Sequence, residues 1–84
     1  MKIAEKVLKV LEASPYIDII SKFLNSKRLT DIDPRWVEAY LRLKYDTLDH
    51  LSKEEIQAEI PGIAKTILSV GKGAAENLAK SYGL

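Results

Sequence analysis

Apolar residues recur three and four positions apart along most of the chain, and short polar segments with proline or glycine separate the runs. Side chains at that spacing lie on one face of an α-helix, so each run predicts an amphipathic helix. We therefore expect an all-α fold, a compact bundle of five or six short helices that forms one domain over residues 1–84. The predicted helices cover residues 2–13, 15–25, 34–51, 53–60, 63–70 and 73–81.

Three sequence signals mark where helices begin. Proline is favoured at the first helical position, and Ser or Asp before it caps free N–H groups. Ser14 before Pro15 and Asp33 before Pro34 have this arrangement. Ser52 is followed three residues later by a glutamate, which is the spacing of a capping box. These signals predict helix starts after residues 14, 33 and 52.

The C-terminal third is compatible with two arrangements. Pro61 and Gly62 are expected to end the fourth predicted helix. The apolar spacing continues beyond them without a gap, so one long helix from Pro61 to Gly83 is the first interpretation. Gly71 and Gly73 each cost about 1 kcal/mol relative to alanine inside a helix. A break near them is therefore favoured, with two short helices on either side.

The third predicted helix carries much aromatic surface. Trp36, Tyr40 and Tyr45 extend its apolar stripe around most of the circumference. A helix of this kind is either central to a bundle or partly committed to a partner. We expect these three residues to pack in the core or to form a partner interface.

Charge is unevenly distributed, although the formal net charge is only +1. Residues 1–30 carry +3, residues 31–60 carry −4 and residues 61–84 carry +2. Basic ends and an acidic middle could pair between copies, which makes a homo-oligomer one hypothesis. The near-neutral total argues against tight nucleic-acid binding, because affinity for DNA comes largely from neutralising phosphates.

Several classes of protein are not expected. The chain has no cysteine, which excludes disulfide scaffolds and thiol catalysis. Its apolar runs are too short to span a bilayer, and the amphipathic segment 63–84 is more simply core than a membrane-surface helix. Asp46 and His50 could face one metal ion, but a stable site needs more ligands. We expect a cytoplasmic protein with no enzymatic activity, cofactor, metal or membrane contact.

Two glycine-containing turns join predicted helices in the C-terminal third. The first is Pro61-Gly62-Ile63, between residues 52–60 and 64–68, and the second is Gly71-Lys72-Gly73, within residues 69–83. Each stretch resembles a helix-hairpin-helix motif, in which a short turn of the form apolar-Pro-Gly-apolar-Gly joins two helices. The turns lie only nine residues apart, so at most one of them is a genuine hairpin.

Helix-hairpin-helix proteins typically bind the DNA backbone without reading its sequence, through main-chain N–H groups at the hairpin. The resemblance therefore implies a small accessory protein that binds duplex DNA. The alternative is a protein-protein interaction or self-assembling module without a nucleic-acid role. The residues that the resemblance implies for the phosphate contact are Gly62, Ile63, Ala64, Lys65, Gly71, Lys72 and Gly73.

Overall fold

The computed structural model describes residues 15–84, and every regular element within them is an α-helix. The all-α fold is confirmed for this part of the chain, which forms four helices where five were predicted, because residues 53–70 form one helix and not two. The helix predicted for residues 2–13 lies outside the described residues. The four helices are α1, Pro15–Ser26; α2, Pro34–Lys44; α3, Lys53–Val70; and α4, Lys72–Ser81.

The helix starts predicted for α2 and α3 are confirmed. Asp33 caps α2, where its carboxylate accepts from the N–H of Arg35 at 2.9 Å. Ser52 and Glu55 form the capping box of α3. The Glu55 N–H donates to the Ser52 hydroxyl at 3.1 Å, and the Ser52 N–H donates to the Glu55 carboxylate at 2.9 Å. That second bond lowers the pKa of Glu55, because it stabilises the ionised form.

The hydrophobic core lies where α1, α2 and α3 meet, and α4 packs against α2 and α3. The contact face of α4 contains the buried residues Ala75 and Ala79, whose small side chains let the helix approach closely. Most of the larger buried apolar side chains come from the other three helices, and Ile32 and Leu48 come from the irregular segments between them. Those of the three helices are Ile20, Leu24, Val37, Leu41, Ile56, Ile60, Ile63 and Ile67.

The helix does not end at Pro61, which corrects the prediction of a turn there. α3 continues from Lys53 to Val70 with Pro61 in its interior. Pro61 is exposed, while Ile60 and Ile67 are fully buried. A buried isoleucine contributes about 1.5–3 kcal/mol, so the apolar face of one long helix offsets the roughly 3 kcal/mol cost of an internal proline.

The predicted helix 34–51 is shorter than expected, because α2 ends at Lys44. The next residue, Tyr45, adopts an extended conformation with φ −123° and ψ 139°. Leu48 still reaches the core, at 2% exposure, but from an irregular segment. Tyr16 of α1 holds this segment through a hydrogen bond from its hydroxyl to Asp49 at 2.6 Å. The apolar spacing thus predicted the burial of Leu48 correctly, but it predicted the end of α2 wrongly.

Candidate binding surfaces

The turn expected at Pro61-Gly62-Ile63 is not formed. Gly62, Ile63, Ala64 and Lys65 occupy consecutive positions in the interior of α3. Backbone N–H groups there donate to carbonyls of the preceding turn and are not available to a phosphate. Ile63 and Ala64 are also buried, at 8% and 4% exposure. Of the four, only Lys65 offers a charged group at the surface.

The break at Gly71, by contrast, is as predicted. Gly71 has φ 98° and ψ 153°, a region that is populated essentially by glycine. Its N–H donates to the carbonyl of Ile67 at 2.9 Å and closes α3. Its carbonyl accepts from the N–H of Ala75 at 3.2 Å and opens α4. One residue therefore caps both helices, and α4 begins immediately after it at Lys72.

The start of α4 presents backbone donors to solvent. The first N–H groups of a helix have no acceptor within it, and the capping residue Gly71 has no side chain to accept from them. The residues that carry these groups, Lys72, Gly73 and Ala74, are all exposed. A Cβ placed on Gly73 would meet nothing within 4 Å. The donors and the positive end of the helix dipole are thus accessible to an anion.

The chain around this turn is basic. Residues 60–75 contain Lys65 and Lys72 and no acidic residue. Both lysines are exposed, and neither forms an ion pair with any residue from 15 to 84. The first acid of α4 is Glu76, whose charge is already paired with Arg35 of α2.

A polar junction joins the start of α2 to α4. Glu76 accepts from the Trp36 indole N–H at 2.9 Å and from the Arg35 guanidinium at 3.1 Å. Arg35 also contacts Asp33 at 2.6 Å. Burial opposes ionisation of Asp33, but hydrogen bonds from the Arg35 side chain and N–H hold the pKa of this carboxyl below its usual value. Trp36, one of the predicted interface residues, is half-buried and uses its indole N–H within the chain.

Replacing Trp36 by phenylalanine is expected to lower the free energy of unfolding by about 1 kcal/mol, because the ring contacts largely remain but the donor to a charged acceptor is lost. Tyr40→Phe is the matched control, since the Tyr40 hydroxyl makes no hydrogen bond within the described residues. It should change stability by less than about 0.5 kcal/mol. Urea denaturation followed by circular dichroism measures both, and equal losses would argue against the indole bond.

Tyr45, a second predicted interface residue, connects the end of α2 to the middle of α3. Its hydroxyl donates to Glu59 at 2.6 Å, and the Lys44 ammonium donates to the same carboxylate at 2.9 Å. The hydrogen bonds that Glu59 accepts lower the pKa of its carboxyl, and the bond from Lys44 has the larger effect. The same hydrogen bond to Glu59 raises the pKa of the Tyr45 hydroxyl. Tyr45 is half-buried against the core. Like the indole N–H of Trp36, the hydroxyl of Tyr45 donates to a carboxylate of the same chain.

An open groove of about 330 Å³ lies between α2 and α3. Its apolar lining includes Tyr40, the third predicted interface residue, and a Lys44–Glu59 ion pair lies at its edge. Leu43, which borders the groove, is 61% exposed. This surface, called the α2–α3 groove below, is lined by Tyr40, Leu43, Lys44, Glu59, Gly62, Ile63 and Thr66.

Sequence reasoning missed the acidic residues that hold the helices in place. Glu59 and Glu76 form hydrogen bonds with residues that are distant in the sequence, and no local sequence pattern predicts such contacts. Glu38 is fully buried and accepts from the Arg42 guanidinium at 2.8 Å. The four-residue spacing of Glu38 and Arg42 does predict an ion pair, but it gives no sign that the carboxylate is buried.

Neither a metal centre nor a membrane span is found in the part of the chain that the structure describes. No three His, Asp or Glu side chains between residues 15 and 84 could together hold a metal ion. Asp46 and His50 both lie in the irregular segment after α2. None of the four described helices is both long and apolar enough to cross a bilayer.

Comparison of the chain with protein-family models, with curated proteins and with solved structures found no match. Among the surfaces of the described residues, the Gly71 turn and the α2–α3 groove are the candidates for function.

Proposed function

We propose that this chain is a small non-enzymatic protein that binds the phosphate backbone of duplex DNA without sequence specificity, through Gly71, Lys72 and Gly73. The observation that supports this most directly is the solvent-facing start of α4, where the capping residue Gly71 has no side chain to accept from the first N–H groups. N–H groups at such a helix end donate to phosphate oxygens, and the helix dipole favours the negative charge. Gly62, Ile63 and Ala64 are no longer part of the proposed contact.

Two lysines would supply charge to this contact. Lys72 is the first residue of α4, and Lys65 lies on the exposed side of α3, shortly before the helix ends. Contacts to phosphate position a protein on DNA but read no base edges, so binding would not depend on sequence. With a net charge of only +1, we expect dissociation constants of roughly 10⁻⁴ to 10⁻⁶ M, as in other non-specific complexes.

Lys72→Ala is expected to weaken binding to every duplex sequence and to reduce the slope of log affinity against log salt by about 1, because one phosphate fewer is neutralised. Lys65→Ala should act in the same way. Fluorescence anisotropy of a labelled duplex, titrated at several salt concentrations, measures both the affinity and the slope.

Two further variants separate a local contact from diffuse charge. Lys53 is exposed at the opposite end of α3, so Lys53→Ala should leave the slope unchanged. Lys72→Pro places proline where a helix tolerates it and removes the backbone donor as well as the charge. It should bind more weakly than Lys72→Ala. Equal effects of Lys53→Ala and Lys72→Ala, or no binding at low salt, would refute the proposal and leave the interaction-module alternative.

A further inference from the structure

We propose that α4 opens as a unit about Gly71 while the other three helices stay folded, and that the polar junction at Glu76 holds it closed. Every side-chain hydrogen bond that joins α4 and the residues after it to the rest of the described chain comes from Arg35 or Trp36 of α2. Glu76 accepts from both residues, at 3.1 and 2.9 Å. The attachment of α4 through side-chain hydrogen bonds therefore depends mainly on this one carboxylate.

α4 contributes little apolar burial to the fold. Its buried residues are Ala75 and Ala79, and of these only Ala75 belongs to the connected hydrophobic core of the described residues. Leu78, the only large apolar residue of α4, is half-buried. α1, by comparison, buries Ile20 and Leu24. An alanine buries a single methyl group, and elements with little apolar burial open at a lower free energy than the core, so α4 is the helix expected to open first.

Opening about Gly71 would leave α3 intact. The N–H of Gly71 donates to the carbonyl of Ile67 and closes α3 without any group of α4. The hydrogen bond that opens α4 uses the carbonyl of Gly71 and the N–H of Ala75. The last bond of α3 and the first bond of α4 are thus separate. Because glycine has the widest choice of backbone conformations, rotation at Gly71 meets little steric resistance.

The α2 side of the junction stays in place when α4 opens. Arg35 remains paired with Asp33, 2.6 Å away, and Trp36 packs against the core of the other helices. Both donors keep their positions without Glu76. Closing therefore orders few groups besides α4 itself, which makes it reversible.

A detached α4 would lose its helical structure. It has 10 residues, and isolated helices shorter than about 12–15 residues are marginal in water. Opening therefore removes the ordered N–H groups at Lys72 and Gly73 together with the positive end of the helix dipole. It follows, on the basis of the proposed function, that the closed form binds phosphate and the open form does not.

Native-state hydrogen exchange of the full chain without DNA, followed by NMR at several low urea concentrations, tests the opening. The hydrogen-bonded amides of α4 should converge on one exchange free energy, with a urea slope above zero but below that of global unfolding. They should exchange at least about tenfold faster than the slowest amides of α3. Exchange of α4 only through global unfolding, or amide by amide without urea dependence, would overturn the proposal.

Substitutions on both sides of the junction test the role of Glu76. Glu76→Ala removes both hydrogen bonds and should speed the shared exchange of α4 at least about tenfold. Trp36→Phe removes one donor from the α2 side and should speed it about fivefold.

Asn77→Ala is the matched control for Glu76→Ala. Asn77 is exposed and follows Glu76 in α4, and its side chain makes no hydrogen bond within the described residues. Alanine favours helix at both positions, so Asn77→Ala should not speed the exchange of α4. Equal acceleration by the two alanine variants, or none by Glu76→Ala, would contradict the role of Glu76.

Duplex DNA separates this inference from the proposed function. DNA that binds as proposed stabilises the closed form, so duplex at about ten times its dissociation constant should slow the exchange of α4 about tenfold. Binding without any slowing would overturn the dependence of the phosphate contact on closure. Failure of DNA to bind would refute the proposed function alone, because the opening itself is measured without DNA.

Discussion

Replacing Pro61 by alanine is expected to raise the free energy of unfolding by about 1–3 kcal/mol. Pro61 lies in the interior of α3, where it has no N–H to donate to the carbonyl of Gln57 and its ring crowds that carbonyl. Alanine restores the hydrogen bond and relieves the crowding. Because Pro61 is exposed, little packing is lost. The gain is reduced by up to about 1 kcal/mol, since proline also restricts the unfolded chain.

Pro34→Ala is the matched control for this prediction. Pro34 is the first residue of α2, directly after its cap Asp33, a position that suits proline. Its replacement should leave stability unchanged or slightly lower. Urea denaturation of both variants, followed by circular dichroism, gives the two free energies. A loss of stability on Pro61→Ala would indicate that the chain turns at this proline, contrary to the continuous helix.

Gly71→Ala is expected to lower the free energy of unfolding by about 1–3 kcal/mol. The cause is the backbone, because φ 98° with ψ 153° is a conformation that a residue with a Cβ rarely adopts. Steric contact is not the cause, since a Cβ at Gly71 would meet nothing within 4 Å. Strain at this residue would weaken the caps of both α3 and α4, which meet there.

Gly73→Ala separates this strain from the general effect of adding a methyl group. Gly73 lies in the first turn of α4, and a Cβ there also meets open space. Its φ is not in the left-handed region, so alanine should leave stability unchanged or raise it by up to about 1 kcal/mol. Thermal and urea denaturation of the two variants make the comparison. Similar behaviour of both would mean that the Gly71 conformation carries no strain.

Much of the fold could be predicted from short-range signals. The caps at Asp33 and Ser52 and the break at Gly71 were confirmed, because each depends on a few neighbouring residues. Helical spacing also identified the buried face of α3, from Ile56 to Ile67. The candidate phosphate contact at Gly71, Lys72 and Gly73 comes from the same local pattern and stays a prediction.

The helix ends were wrong where packing opposed a local signal. Pro61 and Gly62 predict a turn, but buried side chains on both sides of them favour one continuous helix. The spacing of Leu41 and Leu48 predicts a helix that continues beyond Lys44. The chain turns at Tyr45 instead, and Leu48 reaches the core without helical geometry. At Pro61 the free energy of burial exceeded a preference of the backbone.

The order of the residues alone predicts an all-α protein, with helix caps at Asp33 and Ser52 and a helix break at Gly71, and residues 15–84 have these features. Those features depend on backbone sterics and on hydrogen bonds between neighbours, which act within a few residues. The arrangement of the helices was decided by contacts between distant residues, such as Glu76 with Trp36 and Glu59 with Tyr45. The α2–α3 groove exists for the same reason, because its lining comes from two helices that meet only when the core is formed.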